Sequence, residues 1–93
     1  MNSQMQISDL ENIISDKIYI KIERWKLYLG DAGLSRNLAI ECISNFDKGK
    51  QEAAKLSLKA VKVKIGDGIQ TIPLYNLVTE SQIFDLVEIL DNF

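Results

Sequence analysis

Trp25-Lys26-Leu27-Tyr28-Leu29-Gly30-Asp31-Ala32-Gly33-Leu34 decides how this chain is read, because it holds two large aromatics, three leucines and a glycine where a helix can stop. Such density marks a point where two helices turn back on each other. Upstream of it, Leu10, Ile14, Ile18, Ile22, Trp25 and Leu29 recur at spacings of three and four. At about 100° per residue these positions stay on one face, as in a helix packed on a core. Ser8 and Glu11 form a capping box, with Ile7 as its staple. The pattern predicts one helix over about 8–29, preceded by a flexible N-terminus of about seven residues. Gly30 serves as its left-handed cap, and Trp25 as a structural anchor of the stripe. The β-branched run Ile18-Tyr19-Ile20 disfavours helix locally, but the longer periodicity outweighs it.

On that helix Ile13, Ile20 and Leu27 form a second row seven apart, and Lys17 and Arg24 run between the rows. Two readings are open. A long helix in a small domain can be covered on two sides, or heptad spacing can mark a seam for another helix. The second reading makes Ile13, Tyr19, Ile20, Arg24 and Leu27 a candidate interface, because tyrosine pairs an apolar ring with a hydrogen-bonding tip. Tyr28, Asp31 and Arg36 form a candidate pocket beside the bend. There Arg36 would hold an anion through its planar fork, Tyr28 would present a hydroxyl, and an Arg36–Asp31 salt link is the structural alternative.

Downstream, Leu34, Leu38, Ala39, Cys42 and Phe46 predict a helix over about 35–46 with Cys42 on its inner stripe, a small core hydrophobe rather than a nucleophile. Asp47-Lys48-Gly49-Lys50 is a polar break, and the pattern over 51–57 is ambiguous between helix and loop. Val61, Val63 and Ile65 alternate with Lys62, Lys64 and Gly66 ahead of the turn pair Asp67-Gly68. That predicts a hairpin over about 60–74 in which Val63 faces Ile72 and Val61 faces Leu74, with Pro73 marking an edge. Thr79 and Gln82 form a second capping box and open a closing helix over about 80–91, with Ile83, Leu86, Val87 and Leu90 inward. The expected fold is therefore a single α+β domain, three main helices on a two-stranded antiparallel hairpin in the order α-α-β-β-α.

Composition frames what such a domain does. Ninety-three residues at 46% hydrophobic make one folded domain. A chain this size buries roughly 60–65% of its unfolded surface, for a stability on the order of 5 kcal/mol. One cysteine excludes an internal disulfide and fits a reducing, cytoplasmic setting. No apolar run is long enough to span a membrane and no signal peptide is expected, which leaves peripheral membrane association open. With no histidine, the commonest general base and metal ligand is missing, so no catalytic residue, no metal site and no cofactor is expected. Lys62 and Lys64 are the only candidate face for nucleic acid, without arginine or stacking aromatics and under a net charge of −2, so none is expected. Charge is polarised along the chain. Residues 47–71 hold six lysines against three acids, whereas 72–93 hold Glu80, Asp85, Glu88 and Asp91 with no base. Such polarity steers encounters or aligns two copies head to tail.

The segment Trp25-Lys26-Leu27-Tyr28-Leu29-Gly30-Asp31-Ala32 with Leu34 and Leu38-Ala39-Ile40-Glu41, and the hairpin Val61-Lys62-Val63-Lys64-Ile65-Gly66-Asp67-Gly68 with Ile72-Pro73-Leu74, resemble a short uncharacterised protein family found in cyanobacteria. The resemblance covers roughly residues 8–92 and departs between Phe46 and Lys59, where this chain is richer in lysine. It implies a location, since members are sometimes labelled thylakoid-associated, and supplies no active site. The expectation is a non-enzymatic protein–protein interaction or assembly module, peripheral to a membrane complex, whose partner is another protein or itself. A structural homodimer is the alternative, and a small-ligand-binding domain or enzyme the third reading.

Overall fold

The computed structural model describes residues 3–22, 25–65 and 70–93, with side chains described for 6–21, 26–64 and 70–93. Among them are five α-helices and two separate hairpins: α1 (Ser3–Lys17), β1 (Tyr19–Ile22), β2 (Trp25–Tyr28), α2 (Leu29–Ala32), α3 (Ser35–Ser44), α4 (Lys50–Ala60), β3 (Lys62–Ile65), β4 (Gln70–Pro73) and α5 (Glu80–Asp91). Single 3₁₀ turns at Phe46–Lys48 and Leu74–Asn76 lead into α4 and towards α5. This overturns the α-α-β-β-α order with three helices and one hairpin.

The main correction falls on the expected helix over 8–29. It starts earlier, at Ser3, so Ser8 is not a cap, and it ends at Lys17. The next residues turn into an antiparallel hairpin that pairs Tyr19 with Tyr28, Ile20 with Leu27, Lys21 with Lys26 and Ile22 with Trp25. The physical reason lies in two overlapping periods. Ile18, Ile20 and Ile22 alternate with polar or amphipathic residues, as do Trp25, Leu27 and Leu29, while Ile18, Ile22, Trp25 and Leu29 also fall on one helical stripe and Ile20 and Leu27 on a second row. β-branched and aromatic residues favour the extended alternative once one face is buried. Ile18 and Ile20 are each 1% exposed, and the Leu29 N–H donates to the Ile18 carbonyl at 2.9 Å, so the ladder runs on into α2.

Gly30 is not a helix stop. It lies inside α2, and the left-handed cap is Gly33, at φ 72°. A Cβ on Gly30 would come within 2.8 Å of Ser15 Cβ, so its bare backbone lets α2 lie against α1. Beneath that contact, Ser15 Oγ is 2.8 Å from Ser35 Oγ and donates to the Glu11 carbonyl at 2.7 Å.

The stretch left ambiguous at 51–57 belongs to α4. Its inward residues are Ala53, Ala54, Ser57 and Leu58, a stripe too weakly apolar to announce itself. Helices α1, α3, α4 and α5 pack in sequence and close a circuit, since α5 also touches α1. Leu10 and Ile14 of α1, Leu38 and Cys42 of α3, Leu58 of α4 and Leu86 and Leu90 of α5 are fully buried at its centre.

The second hairpin follows its expected register: Val63 pairs with Ile72 and Lys62 with Pro73. The Leu74 N–H donates to the Val61 carbonyl at 2.8 Å, continuing the pairing past Pro73. The turn residues Asp67 and Gly68 lie outside the described residues. No helix among the described residues is long and apolar enough to cross a membrane.

Candidate functional site

α5 packs against α1, and its first turn also reaches the start of the first hairpin. Where they meet, Gln82 on the first turn of α5 is 4% exposed, and its Oε1 accepts the Tyr19 N–H at 2.9 Å. Its own N–H donates to Thr79 Oγ1 at 3.3 Å, which is the helix cap, and its Nε2 donates to Asp85 at 3.4 Å. The side chain of the capping-box glutamine therefore bonds to the first hairpin, while its backbone N–H keeps the Thr79 cap.

Beyond this junction the helices enclose a cleft of about 750 Å³. Asn12, Ile13, Asp16 and Lys17 of α1 form one wall, and Tyr28 at the end of β2 stands at its side. Asp85, Glu88 and Ile89 of α5 form the other wall, followed by Asn92 and Phe93. Tyr28 is 39% exposed and Phe93 41%, which is high for such large apolar rings. The Tyr28 ring meets Tyr19 edge-on with centroids 5.5 Å apart, and Lys26 Nζ lies 5.1 Å from the Tyr19 centroid. That stack fixes Tyr28 at the rim.

Three carboxylates, Asp16, Asp85 and Glu88, surround this apolar surface against the single ammonium of Lys17. They do not converge: no group of three metal-ligating side chains occurs among the described residues. The cleft is suited to an extended surface carrying both apolar and cationic groups, rather than to one ion.

The residues singled out in the sequence are dispersed. Ile13 lines the cleft on α1, half-buried, whereas Ile20 is in the core on β1 and Leu27 packs against that core from β2. The heptad row Ile13–Ile20–Leu27 thus has no counterpart, because the helix that would carry it ends at Lys17. Tyr19 is half-buried in the ring pair; Arg24 and the side chain of Trp25 lie outside the described residues. Of the proposed pocket, Tyr28 lines the cleft, while Asp31 is exposed on α2 and is not among the lining residues. Arg36, on α3, bridges to Glu11 of α1 at 3.2 Å rather than to Asp31. The structure does not bring these three together.

Sequence reasoning passed over Asp16, Gln82, Asp85, Glu88, Ile89 and Phe93 as site residues. Two signals pointed there: the base-free acidic block after residue 72, and Ile89 lying off the α5 stripe. The Cys42 thiol is fully buried against Ser57, and burial pushes its pKa up to about 11 despite the Ser57 hydrogen bond. Burial and a raised pKa are the surroundings of a packing cysteine.

Comparison with curated proteins and with solved structures finds no match. Comparison with protein families does. Residues 7–93, from the second turn of α1 to the last residue of the cleft, match the family described as "Protein of unknown function (DUF3181)". That span includes both hairpins, the Gly30–Ser15 contact and both walls of the cleft, and on it the chain belongs to the DUF3181 family.

Proposed function

We propose that this protein is a non-enzymatic interaction or assembly module that receives a protein surface in the cleft between α1 and α5. The observation that carries the reading is the cleft's composition: an apolar lining of Ile13, Ile89, Tyr28 and Phe93 ringed by Asp16, Asp85 and Glu88. Exposed aromatics beside carboxylates that the single Lys17 ammonium only partly compensates are what a docking surface offers and what a free monomer would otherwise hide. The chain's lack of histidine and the buried, raised thiol of Cys42 favour binding over nucleophilic or general-base chemistry. A module of this kind works at the edge of a larger assembly. The cyanobacterial, thylakoid-associated label of the family that the sequence resembles makes a complex at that membrane the first place to look.

The test is capture from a native lysate using the wild-type chain, an Ile89→Asp/Phe93→Asp variant, and Phe84→Asp as a control. Phe84 is on α5 and 61% exposed but outside the cleft. The reading expects a defined set of co-purifying proteins to be lost with the cleft variant and kept with the control. Equal recovery by all three overturns it.

A further inference from the structure

The cleft leaves unsaid what fills it, and the same chain carries a face of opposite charge. α4 turns Ala53, Ala54, Ser57 and Leu58 inward, which places Lys55, Leu56 and Lys59 together on its outer side. Leu56 is 36% exposed beside the Lys55–Lys59 row, and Glu52, one turn earlier, is the one acid of α4 on that side. Lys62 and Lys64, both exposed on β3, extend the basic face past the end of the helix. Four large hydrophobics are exposed among the described residues, and three of them lie on these two faces: Tyr28 and Phe93 at the acidic cleft, Leu56 on the basic helix. Each surface offers an apolar centre with charge around it, and the two signs are complementary.

We propose that the α1–α5 cleft of one molecule binds the outer face of α4 in a second copy of this chain, giving head-to-tail self-association. This rests on the cleft being the docking surface. Within one molecule the two faces do not meet, because α4 packs its buried side against the body that includes α5 and turns its outer side to solvent. The contact is therefore intermolecular and joins unlike patches, so each copy keeps one free cleft and one free ridge. In the complex Leu56 enters between Ile13, Ile89 and Phe93. Lys55 and Lys59 lay their methylene stems over the apolar lining and bring their ammonium groups to Asp16 and Glu88. Such an interface is small and charge-led, so it is weak and sensitive to salt.

Sedimentation velocity on the purified chain tests this. The proposal expects the weight-average mass to rise above 10.5 kDa as concentration increases. Over about 10 to 500 μM in about 50 mM salt the rise should be clear, and in about 0.5 M salt it should vanish. Lys55→Glu/Lys59→Glu and Asp16→Lys/Glu88→Lys should each weaken association by at least about tenfold when alone. Mixed in equal amounts, the two variants should associate again, because the intact ridge of one meets the intact cleft of the other and the two reversed faces are complementary as well. Circular dichroism confirms that these surface variants stay folded. A monomer at every concentration, or association that survives Lys55→Glu/Lys59→Glu, overturns the proposal. If self-association fails while the cleft variant still loses its captured partners, only the identity of the occupant was wrong; if lysate capture is indifferent to the cleft as well, the docking reading itself falls.

Discussion

The side-chain oxygen of Gln82 accepts the backbone N–H of Tyr19 across 2.9 Å, joining residues 63 positions apart in sequence. It is the direct tie between the first turn of α5 and the entry to the first hairpin. Because the group is buried, its removal leaves a main-chain donor without a partner. Gln82→Ala should therefore lower stability by about 1–3 kcal/mol in urea unfolding. Thr79→Ala, which removes only the cap on the same turn, should be milder at about 1 kcal/mol. Gln82→Ala keeps the backbone N–H that the Thr79 cap accepts, so a negligible loss in that variant would show that the long-range bond contributes nothing.

Gly30 and Ser15 are a matched pair. Gly30→Ala would ordinarily favour a helix, yet here the new methyl meets Ser15 Cβ at 2.8 Å. The expected result is a net loss of about 1–3 kcal/mol, partly recovered when Ser15→Gly is added. Gly33→Ala, in open space at φ 72°, should lose about 1 kcal/mol and show no coupling to Ser15. A neutral or stabilising Gly30→Ala would contradict the close approach.

Cys42 makes stability fall at alkaline pH. The unfolded thiol loses its proton near 9.0, whereas burial holds the folded one protonated to about 11. Between those values the unfolded state binds fewer protons, so folding weakens as pH rises, by about 2–3 kcal/mol over the window. Cys42→Ala should remove that part of the slope. The native thiol should also react with a disulfide reagent at pH 8 far more slowly than the urea-unfolded chain. A fast native reaction would mean the thiol is accessible.

Arg36 and Glu11 link α3 to α1, but the arginine side chain is 50% exposed. A double-mutant cycle with alanines should give a coupling of only about 0.2–1 kcal/mol, shrinking as salt is added. A coupling well above that range, insensitive to salt, would assign the pair a buried structural role.

Some of this molecule was legible residue by residue. The Thr79 cap marks the start of α5, and its Leu86 and Leu90 face the core as the stripe requires. Alternation at Val61, Val63 and Ile72 set the β3–β4 register. The candidate site was less legible. Only Ile13 and Tyr28 of the residues singled out line the cleft, and they do so from a helix and a separate strand, not one continuous helix. The acidic block after residue 72 was visible, but its placement opposite Asp16 was not, because nothing local says which helix α5 will face.

Signals complete within a few residues were sufficient by themselves: a side-chain cap, a period of two, or an apolar stripe of leucine and isoleucine. Tertiary structure decided the rest. The sequence over 18–29 satisfies the helical and the extended period together, so burial of Ile18 and Ile20 and the Gln82 bond to Tyr19 settled Tyr19–Ile22 and Trp25–Tyr28 as paired strands. α4 buries alanine and serine, whose small gain in burial shows only when α3 and α5 close over them. The cleft exists because residues 12–17 of α1 and 85–89 of α5 come to face each other across the chain, a relation between distant segments that no local pattern encodes.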